Sequence, residues 1–256
     1  MRNLMRSEMY KLFKAKYLYV CLLCMCGMFT LLFVMMQPIM METLDGAADE
    51  MRILSTMDFI SAAFGSGDMM IFFIALFVCL LVVNEFRTMT IKHMLSVSNR
   101  RAIYLSKLLG AYVAVIILTL VAVLISILLG TIQFRDMGDV IAHLPFLMQF
   151  IAMQIIAGCA SASIYVMLSF MIRNIAVALP ICMLLHAVLL AALNGLSGVS
   201  ELFAKVMHYT PMYISTYYST PEAFAAGNTL PVLISCVGVA AITTIAGMLS
   251  FEKVDL

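Results

Sequence analysis

Few residues in this chain have the types and spacing that catalysis needs. The pair Cys21 and Cys24 has the C-x-x-C spacing of redox and zinc sites, but it lies in an apolar run where a thiolate is disfavoured. Ser197 lies in a G-x-S-G string typical of intramembrane serine proteases, which place a base histidine in a later span. No histidine follows His208, so the base that such a protease needs is missing. We therefore predict no catalytic residue, and the apolar setting of the cysteines predicts no metal site.

Three polar side chains within apolar runs are stronger candidates for function. Gln149 and Gln154 lie in one run and His186 lies in the next. Polar groups inside a bilayer are costly, and they often mark a transport pathway. The alternative is that each one hydrogen-bonds a neighbouring helix. We interpret the three as a candidate pathway lining.

The elements that position these residues follow from composition. Of 256 residues, 64% are hydrophobic and 11% are charged, with a net charge of +1. Such a chain is neither a soluble domain nor a disordered one, and it lacks the basic surplus of a nucleic-acid binder. Because helices satisfy their own backbone in lipid, we predict an all-α integral membrane protein with one transmembrane domain, 1–256. Six runs are long enough to span: 17–36, 64–83, 108–132, 144–172, 175–193 and 230–251.

The distribution of basic residues predicts the orientation. With both termini in the cytoplasm, twelve lysines and arginines lie inside and three lie outside, which is a strong positive-inside bias. Residues 1–16 precede the first span, and the spacing of their apolar and basic residues predicts a basic amphipathic helix at the inner interface. Its apolar stripe contains Met5, Met9, Leu12, Phe13 and Lys16. The alternative is a solvated basic flank.

The segment 84–107 joins the second and third predicted spans. It is too polar for lipid, yet it carries apolar residues that a simple connection would not need. This composition favours an interaction surface for a cytoplasmic partner. The apolar residues are Phe86, Met89, Ile91, Met94, Leu95 and Val97.

The same segment resembles the ABC type-2 exporter permeases. Their pattern is an acidic residue, Gly-Thr-hydrophobic-Lys, Leu-x-x-Pro-x-Ser-Arg and a hydrophobic stretch that ends in lysine. Met89 stands where glycine is common, and Val97 stands where proline is common. The matching residues are Glu85, Thr90, Ile91, Lys92, Leu95, Arg100 and Lys107.

The resemblance implies partners as well as a fold. In that family two six-span subunits pair, and each docks a cytoplasmic ATPase through the loop after its second span. The chain has no G-x-x-x-x-G-K-[ST] string, so we expect ATP and Mg to be bound by the ATPase and no cofactor by this chain. The docking residues would be Glu85, Arg87, Thr90, Ile91, Lys92 and Leu95.

The last outer loop, 194–229, is rich in aromatic and apolar residues and contains prolines. In the resembled family, re-entrant helices at this position cap the pathway on the outside. Here the cap would contain Tyr209, Pro211 and Tyr213. The alternative is an interfacial aromatic belt.

We therefore expect a multi-pass permease subunit of an ATP-driven exporter in a bacterial cytoplasmic membrane. A pathway with few charges favours an amphipathic or hydrophobic substrate, such as a peptide or antimicrobial. An ion-coupled secondary transporter is the main alternative, but aspartate and glutamate are absent from the middle of all six runs. The second alternative is a membrane subunit that acts in immunity or assembly and does not transport.

Overall fold

The computed structural model describes residues 2–44, 56–65, 68–88, 91, 99–134, 137–197, 209–211 and 229–252. These residues form helices and contain no strand. In chain order the helices are α1 (Arg2–Lys14), α2 (Lys16–Leu44), α3 (Thr56–Gly65), α4 (Asp68–Arg87), α5 (Arg100–Phe134), α6 (Met137–Ala142), α7 (Leu144–Ile172), α8 (Ile175–Ser197) and α9 (Thr229–Glu252).

Five helices are long and apolar enough to cross a membrane: α2, α4, α5, α7 and α9. They correspond to the first, second, third, fourth and sixth predicted spans. The fifth predicted span lies in α8, whose described apolar part, Ile175–Leu189, is shorter than this length. The protein is therefore a helical, multi-pass membrane protein, and the sixth span and the orientation of the termini stay predictions.

The turn between α7 and α8 explains why two apolar helices can follow each other so closely. Arg173 adopts a left-handed conformation with φ of 56°, and its backbone N–H donates to the Ser169 carbonyl. Asn174 then accepts a hydrogen bond from the N–H of Ala176 at 3.1 Å, which caps the start of α8. The two residues between the fourth and fifth predicted spans thus form a tight turn.

Two predicted boundaries differ in the structure. The predicted second span begins at residue 64, but Phe64 belongs to α3, which ends at Gly65 before α4 begins at Asp68. The predicted connecting segment 84–107 is also shorter. Residues 84–87 extend α4 and residues 100–107 begin α5, so only 88–99 lie between the two helices.

Helix α7 occupies the centre of the bundle and packs against α4, α5, α8 and α9. Gly158 makes this packing close, because a β-carbon there would lie 2.7 Å from Val115 Cγ1 on α5 and 3.3 Å from Ile74 Cδ1 on α4. Small residues allow such approaches between membrane helices. Gly158 therefore allows α7 to approach α4 and α5 closely.

Helix α1 turns an unexpected side towards the bundle. Leu12 and Glu8 are buried, whereas Met5 and Phe13 of the predicted apolar stripe are 44% and 50% exposed. The apolar stripe is thus split between the protein and the surroundings. An acidic residue, and not the stripe alone, forms the contact with the bundle.

Candidate functional site

Four charged side chains from three helices meet at one end of the bundle. Lys107 on α5 donates to Glu8 on α1, and its Nζ lies 2.6 Å from Glu85 Oε1 on α4. Lys11 on α1 contacts both carboxylates, with Nζ 3.2 Å from Glu8 Oε1 and 3.4 Å from Glu85 Oε1. We call Glu8, Lys11, Glu85 and Lys107 the charge cluster. Each glutamate lies close to both lysines, and the two negative and two positive charges sum to zero.

The charge cluster is mostly removed from solvent. The side chains of Lys107 and Glu8 are 1% and 3% exposed, and that of Glu85 is 14% exposed. Buried charges at such positions require partners, because an unpaired one would carry a large desolvation cost. Glu85 Oε2 is buried and has no hydrogen-bond partner within the described residues. The cluster therefore fixes α1 against α4 and α5.

Lys11 is the most exposed member of the charge cluster, with 41% of its side chain accessible. Burial lowers the pKa of Lys11, but the carboxylates of Glu85 and Glu8 raise it by more, so its pKa lies above the usual 10.5. The lysine is consequently protonated at physiological pH. It remains a cation that both carboxylates share.

A second set of contacts, the aromatic cluster, joins the same ends of four spans. Its centre is Phe170 on α7, whose ring centroid lies 5.6 Å from that of Phe86 on α4 and 5.0 Å from that of Tyr104 on α5. Phe251 on α9 completes it, at 4.8 Å from Phe170. Edge-to-face aromatic pairs add stabilisation beyond simple burial. The cluster therefore couples the ends of α4, α5, α7 and α9.

The start of α5 is also bound to the end of α9. Arg100 Nη1 donates to the backbone carbonyl of Glu252 at 2.8 Å, and Arg101 forms an ion pair with the Glu252 side chain. Cations suit the carbonyl end of a helix, where unpaired oxygens concentrate negative potential. Segment 88–99 thus lies between two helix ends that are each fastened to other helices.

The predicted docking residues occupy different positions around this segment. Glu85 turns into the charge cluster, Arg87 is exposed, and Ile91 is buried at 2% exposure. Thr90, Lys92 and Leu95 lie outside the described residues. Sequence reasoning missed Glu8, although it is the sole acidic residue among the first 41 and stands within a basic segment.

The predicted pathway residues are not brought together. Gln149 is exposed on α7, whereas Gln154 is buried at 6% exposure. Gln154 lines a cavity of about 10 Å³ with Thr119, Ser161 and Pro211, a residue of the predicted outer cap. A predicted pathway residue and a predicted cap residue therefore line the same cavity near the middle of α7.

His186 lines a separate and larger cavity. This cavity measures about 440 Å³ and lies between α2, α4 and α8. Apart from the imidazole, its walls are apolar and rich in methionine and phenylalanine. They comprise Met28, Met69, Phe72, Phe73, Met183, His186 and Ala187.

The described part of the predicted cap is fastened to α9. Ser235 Oγ donates to the backbone carbonyl of Tyr209 at 2.6 Å. Tyr209 is 40% exposed, and Pro211 is buried. Tyr213 lies outside the described residues.

The two cysteines that match the C-x-x-C spacing differ in their exposure. Cys21 is buried and Cys24 is exposed, and both are free thiols. Among the described residues, no group of three histidine, cysteine or acidic side chains is placed to hold a metal ion. The described geometry thus brings together no ligand set at Cys21 and Cys24.

These features are those of a helical, multi-pass membrane domain. Residues 37–249, most of the chain, match the family model described as ABC-2 family transporter protein. The chain belongs to this family, and it is an ABC permease domain, as its resemblance to the ABC type-2 permeases predicts. Permease domains of this kind are membrane components and are generally not catalytic. No curated protein matches the chain significantly.

Proposed function

We propose that the chain is the permease subunit of an exporter driven by a separate cytoplasmic ATPase. The observation that carries this proposal is that the two helix ends flanking segment 88–99 are held by the charge cluster, the aromatic cluster and the end of α9. A segment that only connected two spans would not need to begin and end at such contacts. A segment that receives force from a partner would.

The ATPase docks on this segment through Arg87, Thr90, Lys92 and Leu95, whereas the buried Ile91 packs into the hydrophobic core and holds the segment against the bundle. The ATPase binds ATP and Mg, and ATP hydrolysis moves the docked segment. Glu85, which is turned into the protein, passes that displacement to α1 through the charge cluster. Phe86 passes the same displacement to α7 through Phe170, since their ring centroids lie 5.6 Å apart.

The proposed complex contains two six-span subunits, identical or homologous, with both termini in the cytoplasm of the cell. The clustering of Lys11, Lys107, Arg100 and Arg173 at one end of the bundle supports this orientation. Among the five helices that are long enough to span, α2 and α9 bury the smallest share of their apolar segments, 28% and 17%. These two helices therefore offer the apolar surface that lipid and the second subunit cover.

The proposed substrate is amphipathic or hydrophobic, with a peptide or antimicrobial favoured. The apolar cavity beside His186 supports this class, because methionine and phenylalanine walls adapt to irregular apolar groups. Gln154 marks a second position along the pathway. Tyr209, Pro211 and Tyr213 close the outer side as a re-entrant cap. Backbone at this depth is acceptable where protein covers it.

A charge-reversal pair tests the docking role. Arg87→Glu with Lys92→Glu places two acids on the docking segment, and we expect export and substrate-stimulated ATP hydrolysis to fall while the spans stay folded. The matched control is Arg6→Glu with Lys16→Glu, two exposed cations outside the segment. Full export in the first pair would refute the docking role.

A second experiment separates the energy sources and tests the substrate class. The complex is reconstituted in vesicles, and ATP hydrolysis is measured with added amphipathic peptides. We expect stimulation by peptides and transport that survives an ionophore but stops without ATP. Transport that needs an ion gradient and no ATP would instead establish the secondary transporter. Absence of stimulation by every amphipathic compound would refute the peptide substrate.

A further inference from the structure

We propose that the cavity between α1 and the adjoining ends of α4 and α5 binds the phosphate headgroup of an anionic membrane phospholipid. The cavity measures about 310 Å³, roughly ten times the volume that one molecule occupies in liquid water. It lies beside the charge cluster, at the end of the apolar spans where basic side chains gather. We call it the headgroup cavity.

The charges of the headgroup cavity favour an anion. Three lysines and two glutamates line it, so it carries one surplus positive charge. The four members of the charge cluster balance one another, which leaves Lys14 as the surplus. Lys14 Nζ lies 3.4 Å from Tyr10 Oη and 5.5 Å from the centre of that ring, and no described carboxylate lies within 4.0 Å of it. Its ammonium therefore remains available for a phosphate.

The walls of the headgroup cavity favour a lipid over a free phosphate. Leu81, Ala15 and Tyr17 supply apolar surface beside the lysines, which suits the glycerol and first methylenes of a phospholipid. Tyr10, which also lines the cavity, and its neighbour on α1, Phe13, are 65% and 50% exposed. Exposed aromatic side chains with lysines on a short helix are typical of a membrane interface. Basic pockets between spans on the cytoplasmic side are known to bind anionic headgroups.

The bound lipid would also act on the charge cluster. Lys11 lines the cavity and contacts both Glu8 and Glu85. A phosphate on Lys11 and Lys14 would hold α1 in place beside the end of α4. If the proposed function is right, an anionic lipid then tunes how closely α1 follows the docked segment. The lipid site itself does not depend on that function.

Lipid binding to the delipidated protein in detergent tests the site, without ATPase or nucleotide. The protein is titrated with phosphatidylglycerol or phosphatidylcholine with the same acyl chains, and bound lipid is counted by native mass spectrometry. We expect phosphatidylglycerol to bind more tightly. We expect Lys14→Gln to weaken it about fivefold and Lys14→Arg to keep it.

The matched control is Lys16→Gln, which removes an exposed lysine two residues away that does not line the cavity. It should leave binding unchanged. Equal losses in both glutamine variants, or equal binding of the two lipids, would overturn the site. Displacement of the lipid by soluble glycerol 3-phosphate at the same concentration would overturn its assignment to a membrane lipid. Because no nucleotide is present, failure of ATP-driven export would not alter these results.

Discussion

The ammonium of Lys107 contacts the carboxylate of Glu8, which lies 99 residues earlier in the chain, and both side chains are almost completely buried. This contact fastens α1 to the start of α5. Glu85 on α4 shares the same ammonium at 2.6 Å. Movement of α1 away from the bundle would break the ion pairs of Glu8, so these contacts hold α1 against α4 and α5.

Removal of one partner from this contact should destabilise the protein strongly. Lys107→Met leaves two buried carboxylates to share Lys11, and breaking a buried pair typically costs about 3–5 kcal/mol. The double variant Glu8→Gln with Lys107→Met keeps the charges balanced, so its loss should be smaller than the sum of the single losses. Unfolding of the purified protein in detergent measures all three.

The control for this prediction is Arg101→Gln. Its ion pair with Glu252 is exposed, and pairs in contact with solvent contribute little to stability. A loss at Lys107 no larger than that at Arg101 would show that the buried charge cluster does not stabilise the fold. Additive losses in the double variant would show that Glu8 and Lys107 act independently.

The sequence predicted some elements well because their signals are local. The bounds of the fourth predicted span, 144–172, coincide with those of α7. The reason is the pair Arg173 and Asn174, a polar interruption whose left-handed and capping conformations end one helix and begin the next.

The charge cluster was harder to predict because it depends on tertiary contacts. Periodicity assigned α1 an apolar stripe but could not show which side meets the bundle. Glu8 and Lys107 meet only through packing of helices that are distant in sequence. Likewise, Glu85 is oriented by its lysine partners, and no rule of spacing within 84–107 reveals that.

The raised pKa of Lys11 should affect the stability of the protein at alkaline pH. Because its pKa is raised on folding, the stability that it contributes is complete below 10.5 and is lost as the pH rises through the higher folded-state value. Lys11→Met should therefore lose less stability than the wild type between neutral pH and values above 10.5. Lys14→Met, which removes a lysine without a described carboxylate partner, should keep the wild-type profile. Parallel profiles for Lys11→Met and the wild type would contradict the prediction.

A pair of glycine variants should separate packing from helix propensity. Gly158→Ala places a methyl group 2.7 Å from Val115 Cγ1, and such overpacking typically costs about 1–3 kcal/mol. Gly238→Ala meets no atom within 4 Å and should be neutral or stabilising, since alanine favours helix over glycine. Thermal unfolding of both variants gives the comparison. Equal stability would mean that α7 can shift away from α5 at little cost.

Placement of the predicted outer cap can be checked by cysteine labelling in intact membranes. Pro211 is buried and lines a cavity with Gln154 near the middle of α7, whereas Tyr209 is 40% exposed. A membrane-impermeant maleimide should therefore label Tyr209→Cys severalfold faster than Pro211→Cys. The seven native cysteines all lie in long helices, and the wild type supplies their background. Ser235→Ala removes the hydrogen bond to the Tyr209 carbonyl, worth about 0.5–1.5 kcal/mol, so it should speed labelling of Pro211→Cys. Equally fast labelling at both positions would show that this part of the loop lies in water and does not enter the membrane.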